Sequence, residues 1–165
     1  MNEDSKKHII YVRFFIISFT VILLDYISKK WMLSLLFDVP QQIIITGFFN
    51  LTPVWNNGVS FGFMASQPEI IRLIIPVLAL CVVLYLISQL QVQNRMQQIG
   101  SAIIAGGAIG NVIDRLIYGR VVDFLDFHVA GYHWPAFNLA DVAICSGVII
   151  WIYVIMSTSS NLGEE

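Results

Sequence analysis

The residues of this chain best suited to chemistry are aspartates set among asparagines. One stretch reads Gly110-Asn111-Val112-Ile113-Asp114-Arg115 and leads into Gly119-Arg120-Val121-Val122-Asp123-Phe124, and another reads Pro135-Ala136-Phe137-Asn138-Leu139-Ala140-Asp141. Two carboxylates close enough to share a proton can hydrolyse an amide without a metal or a nucleophilic side chain. One takes a proton from a water while the other protonates the carbonyl or the leaving amine. Like charge and partial burial push their titrations apart, so one acid stays protonated. Asp123 and Asp141 are the candidates for such a pair, and Asp114, one helical turn or more deeper, competes with them. Structural readings stand beside the chemical one. On a helix Asn111, Asp114 and Arg115 share one face, where Asp114 and Arg115 can simply neutralise each other's surroundings. Asn138 is a favoured N-cap and an acid three residues on suits a first turn, so these two can simply start a helix.

The elements that must hold these groups are membrane elements. The chain has 165 residues, of which 57% are hydrophobic and 12% charged, and its mean hydropathy is +0.75. A soluble domain carries roughly 25% charged residues. Four stretches approach the ~20 apolar residues that a spanning helix needs: 9–27, 70–90, 99–117 and 139–156. Pro68 suits the start of the second and Pro76 lies inside it. The third carries Gly106-Gly107-Ala108-Ile109-Gly110, a small-residue pattern that lets helices approach closely. The segment 91–98 reads as a short turn. The 31–69 connection is long, and its β-branched and aromatic piece Gln42–Thr52 predicts short strands. The connection 118–138 holds charged, aromatic and His residues. The first apolar run ends in Asp25-Tyr26-Ile27-Ser28-Lys29-Lys30 without a small-residue cleavage site, which predicts an uncleaved first helix rather than a secretory signal. Cys81 and Cys145 lie inside apolar runs and are expected to be buried thiols.

Four antiparallel spans gather Asp25 and Lys29, Asp114 and Arg115, and Asp141 at one membrane face. Polar groups inside membrane helices are costly and by default mark a site. Basic residues fall on both sides, so charge alone leaves the orientation open. A net charge of -2 without a basic, aromatic-rich patch gives no sign of a nucleic-acid partner.

In order along the chain, Asp25-Tyr26-Ile27-Ser28-Lys29, Asn56-Asn57-Gly58-Val59-Ser60-Phe61, GGAIGNVIDR, GRVVDFLDF and PAFNLAD resemble the pattern of bacterial lipoprotein signal peptidases. The resemblance implies an all-α membrane protein forming a single domain over 1–165. It implies four spans, both termini cytoplasmic, and a location in the bacterial inner membrane. A small extracytoplasmic β-cradle and a mobile segment would occupy about 41–66. The implied catalytic acids are Asp123 and Asp141, with Asp114 in a supporting role. Asn56, Gly58, Asn111, Arg115 and Asn138 match positions that order the site or bind substrate, and Asp25 and Lys29 match a supporting pair. One departure is Val59-Ser60, where the family has Ala-Ala. The implied activity is removal of the signal peptide from prolipoproteins, just before the diacylglyceryl-modified cysteine, with membrane lipid around a monomeric enzyme and no cofactor.

Two other readings remain. His128 and His133 with Asp123, Asp126 and Asp141 suggest a metal site, but no H-E-x-x-H helix signature is present. These His residues with Tyr132 and Trp134 read more simply as a belt at the headgroup level, and no metal is expected. A non-enzymatic proton- or ion-conducting transporter subunit would also use intramembrane acids. It needs them spread through the membrane depth, whereas here they gather near one face.

Overall fold

The computed structural model describes residues 2–58 and 68–161. Most of the proposed mobile segment, from Val59 onward, lies outside the described residues. Helix α1 spans Glu3–Met32 and widens into a π-helical turn over Leu33–Phe37. Its start is capped by the Asn2 side chain, which accepts from the Ser5 N–H at 2.9 Å. Glu3 and Asp4 in the first turn and Lys29 and Lys30 in the last suit the helix dipole. Helix α2 spans Pro68–Gln89, α3 Arg95–Tyr118 and α4 Leu139–Asn161. Among the described residues, 3–37, 95–118 and 139–157 are long and apolar enough to cross a membrane, and Leu73–Gln89 is a shorter apolar helix.

Helix α3 is the central post, with α1, α2 and α4 all packed against it. The small residues allow this. A Cβ on Gly106 would stand 2.7 Å from the Val21 Cβ of α1, and one on Gly107 would collide with the Ala140 carbonyl of α4. Phe14, Val83, Leu90, Ala102, Ala105 and Ala108 form the apolar core between α1, α2 and α3. The α2–α3 turn is tied by Gln98, whose Nε2 donates to the Leu90 and Gln93 carbonyls at 2.9 Å each. Asn94 and Gln97 form a capping box at the start of α3. Its end is closed by Gly119, which takes the left-handed conformation (φ 70°) and donates its N–H to the Arg115 carbonyl.

The strands form one antiparallel sheet in the order β1 (Ile43–Thr46), β2 (Phe49–Asn56), β3 (Val121–Val129), β4 (Tyr132–His133). The residue pattern predicts short strands in Gln42–Thr52 and marks 118–138 as a connection with charged, aromatic and His residues. The structure corrects this, because the longest strand and its β4 hairpin come from 121–133. The polar Asp123 and Asp126 disguise a run that is otherwise β-branched and aromatic. The turn at Ala130 (φ 50°) and Gly131 (φ 84°) has two positive φ values, as tight hairpins require. Met32, Leu36, Val122 and Phe124 make a second core between this sheet and the end of α1.

The cysteines also differ from expectation. Cys81 and Cys145 are free but exposed. In a helix bundle the outward faces are apolar as well, so an apolar run does not tell a core position from an outward-facing one.

Candidate active site

The end of α3, the start of α4 and the start of β3 converge with Asn56 at the end of β2. Helix α4 opens with a reciprocal cap. The Asn138 Oδ1 accepts from the Asp141 N–H at 3.0 Å, and the Asp141 Oδ2 accepts from the Asn138 N–H at 3.2 Å. Asp141 is therefore a helix-start residue, as its structural reading held, and the same bonds aim its carboxylate toward α3. There its Oδ1 accepts from the Asn111 Nδ2 at 2.8 Å.

Asp123 lies on β3 and is 1% exposed. Its Oδ1 accepts from the Asn138 Nδ2 at 2.7 Å and its Oδ2 from the Asn56 Nδ2 at 2.9 Å. Asn56 is held in turn by the Gly58 N–H, which donates to its Oδ1 at 2.7 Å. Three asparagine amides thus present the two carboxylates, and Asn138 touches both. Burial pushes the Asp123 carboxyl up to about 6. The hydrogen bonds from Asn56 and Asn138 and the charge of Lys29 pull the other way, and the negative charge of Asp141 adds to the rise.

Below this pair lies a buried ionic cluster. The Lys29 Nζ sits 2.8 Å from the Asp25 Oδ2 and 3.0 Å from the Asp114 Oδ2, and it donates to the Asn111 Oδ1 at 3.0 Å. Asp25 also accepts from the Ala140 N–H at 2.9 Å, which ties α1 to the first turn of α4. Asp114 accepts from the Val122 N–H at 3.0 Å, which anchors the start of β3. Arg115 donates to the Asn111 carbonyl at 3.2 Å. A single buried ion pair is a poor source of stability, but here each carboxylate accepts a further backbone N–H and the ammonium has a further acceptor in Asn111.

The structure gathers all ten residues singled out from the sequence. Asp25, Lys29 and Asp114 are linked to the acids through Asn111 rather than directly. The reading missed the backbone N–H groups of Ala140 and Val122, because a main-chain donor leaves no trace in residue type. It also missed the role of Gly110 here. A Cβ at Gly110 would stand 2.5 Å from the Asp25 Oδ2, and its place in a glycine-rich run was the available signal. His128 and His133 lie apart, on the outer hairpin, where their rings stack at 4.8 Å.

The chain as a whole has relatives among known proteins. A family model described as Signal peptidase (SPase) II matches residues 17–157. The chain belongs to the signal peptidase II family. A lipoprotein signal peptidase of Janthinobacterium sp. (strain Marseille) is 42% identical over 139 residues, covering 83% of this chain and 84% of that protein. A lipoprotein signal peptidase of Burkholderia mallei (strain SAVP1) is 47% identical over 140 residues, covering 83% of each. Among solved structures, one titled as a bacterial membrane enzyme at 2.3 Å resolution superposes with a TM-score of 0.76 at 26% identity, covering 90% of both chains. A second, at 1.9 Å, has a TM-score of 0.74 and covers 87% of this chain and 92% of that one. The chain is accordingly a multi-pass membrane protein, mostly helical with a small antiparallel sheet, and an aspartic peptidase by family.

Proposed function

We propose that Asp123 and Asp141 are the catalytic pair of this signal peptidase II, which removes signal peptides from prolipoproteins. The observation that carries the assignment is the amide bridge. Asn138 donates to Asp123 and caps Asp141, while Asn111 donates to Asp141 and accepts from Asn138. Among the described residues no such amide bridge joins Asp114 to a second acid, and Asp114 is committed to Lys29 and Val122.

The working form of the pair holds one proton. Burial raises the Asp123 carboxyl to about 6, which favours a protonated carboxyl in the pair. The ionised carboxylate takes a proton from water, whose oxygen forms a bond to the scissile carbonyl carbon. The protonated carboxyl gives its proton to the carbonyl oxygen. Collapse of the tetrahedral diol breaks the C–N bond as the amine nitrogen takes the pair's proton, and one diol hydroxyl gives its proton back to the pair as the new carbonyl forms, so the pair returns to one shared proton. Asn56 and Asn138 hold Asp123 in register throughout.

Cleavage falls just before a diacylglyceryl-modified cysteine, and the substrate reaches the pair laterally within the bilayer. Helix α2 serves as the fourth span, both termini face the cytoplasm of a bacterial inner membrane, and the enzyme acts as a monomer without cofactor. The comparisons give no support to a transporter subunit. Incubating purified protein with a lipid-modified prolipoprotein and its unlipidated form tests the substrate, with cleavage of the lipidated form alone expected. Equal cleavage of both forms overturns the lipid requirement. Reporter fusions at Gln93 and the C-terminus should both read cytoplasm and one after Gln41 outside, and opposite readings at the first two would overturn the four-span arrangement.

A further inference from the structure

The amide of Asn111 is the only side-chain link described between the buried ion cluster and Asp141, and its direction matters. Its Oδ1 accepts from Lys29 at 3.0 Å and from the Asn138 Nδ2 at 3.1 Å, while its Nδ2 donates to the Asp141 Oδ1 at 2.8 Å. Turned over, the amide would set Nδ2 against an ammonium and a second amide donor, and its oxygen against a carboxylate. Lys29 is 2% exposed. An ammonium has three donors and no acceptor, and here all three are spent, on Asp25, Asp114 and Asn111. It cannot swing away without leaving two buried carboxylates unpaired.

We infer that Lys29 is a positioning residue for the reaction, acting through Asn111. Its ammonium locks the Asn111 amide so that an N–H always faces Asp141 and an oxygen always faces Asn138. Because the Asn138 Nδ2 is shared between Asn111 and Asp123, one lock sets the hydrogen-bond direction at both acids. A weaker reading makes Lys29 only the counter-ion of Asp25 and Asp114, needed for folding and nothing else. The ion pairs support either role, and the contact with Asn111 distinguishes them.

The inference rests on Asp123 and Asp141 being the reacting pair, so Asp123→Asn and Asp141→Asn are measured alongside it. If either turns over normally, the pair assignment fails, whatever Lys29 does. Lys29→Met alone leaves Asp25 and Asp114 facing each other and can fail to fold. The decisive comparison is therefore Asp114→Asn against Lys29→Met/Asp114→Asn, in which the loss of one negative charge accompanies the loss of the positive one. Steady-state cleavage of a lipid-modified prolipoprotein in nanodiscs, normalised to folded protein, gives kcat and KM. The double variant should lose about 100-fold in kcat relative to Asp114→Asn, with KM within about threefold, the pattern expected when orientation of a charge-stabilising group is lost. Equal kcat in the two variants overturns the inference and leaves Lys29 as a counter-ion. The same pair is then compared in an Asn111→Ala background, where Lys29→Met should add no more than about threefold. A full 100-fold loss there would show that Lys29 acts by its charge directly and not through Asn111, which also overturns the inference.

Discussion

Asp123 and Asp126 stand three residues apart on β3, one at the inner end of the sheet over the helices and the other toward its outer rim. Both are buried, at 1% and 5% exposure, yet they are held in opposite electrostatic conditions. Asp123 is pushed up to about 6 by burial, with the charge of Asp141 adding to the rise. Asp126 is also penalised by burial. Hydrogen bonds from His133 (2.7 Å), Thr52 (2.8 Å) and Asn50 (3.4 Å) outweigh that and hold it below the usual carboxylate range. Its partners come from β2 and β4, with Gln42 just before β1 at 3.5 Å, so this carboxylate staples the sheet. A buried acid with a like-charged neighbour is poised to trade a proton, and one surrounded by donors is fixed as an anion. Burial alone separates neither function, and the second partner decides.

The largest break in this comparison is Asp123→Asn, with Asp141→Asn as its counterpart. Each should lower single-turnover cleavage by about 10²–10⁴-fold, the span of general acid–base catalysis, with substrate binding retained. Substantial turnover by a folded Asp123→Asn protein alongside a dead but folded Asp114→Asn would move the pair to Asp114 and Asp141.

A second test uses the proton itself. The free enzyme should lose its shared proton as pH rises through about 6, so kcat/KM should fall on the alkaline side of that value. A profile flat from pH 5 to 8 (an interval on the order of the unperturbed and raised carboxyl range) would contradict a proton-sharing pair.

Asp126→Asn should do the reverse of Asp123→Asn. Turnover per folded molecule should stay within about threefold, while stability falls by about 1–3 kcal/mol at neutral pH through lost charge-assisted bonds. The sign follows from its depressed titration: the stabilisation is present above the unfolded value, ~3.9, and fades as pH falls through the lower folded one. Melting curves of wild type and variant should therefore converge toward strongly acidic pH, and a gap that persists there would refute the assignment. The smallest effect belongs to the hairpin tip. Ala130→Gly relieves a left-handed alanine and should raise stability by up to about 1 kcal/mol without altering turnover. A melting temperature that drops instead would show that Ala130 makes contacts which matter more than its backbone strain.

Much of this molecule was legible in residue type and order. Long apolar runs have few ways to satisfy their backbone except as helices, and the motifs around Asp25, Asn56, Asn111, Asp123 and Asp141 sit in the sequence as contiguous patterns. Strand β3 was not legible, because its two aspartates interrupt the periodicity that marks a strand. The exposure of Cys81 and Cys145 was hidden for the same kind of reason, since a bundle's lipid-facing and core-facing residues are alike in polarity. Residue type and order sufficed to say which side chains arrive at one end of the bundle. Which oxygen each amide faces, and that Asp123 and Asp126 part company, emerged from the folded arrangement. Those outcomes depend on donors from helices and strands distant in sequence, and the energy of a hydrogen bond depends on distance and angle that no spacing along the chain encodes.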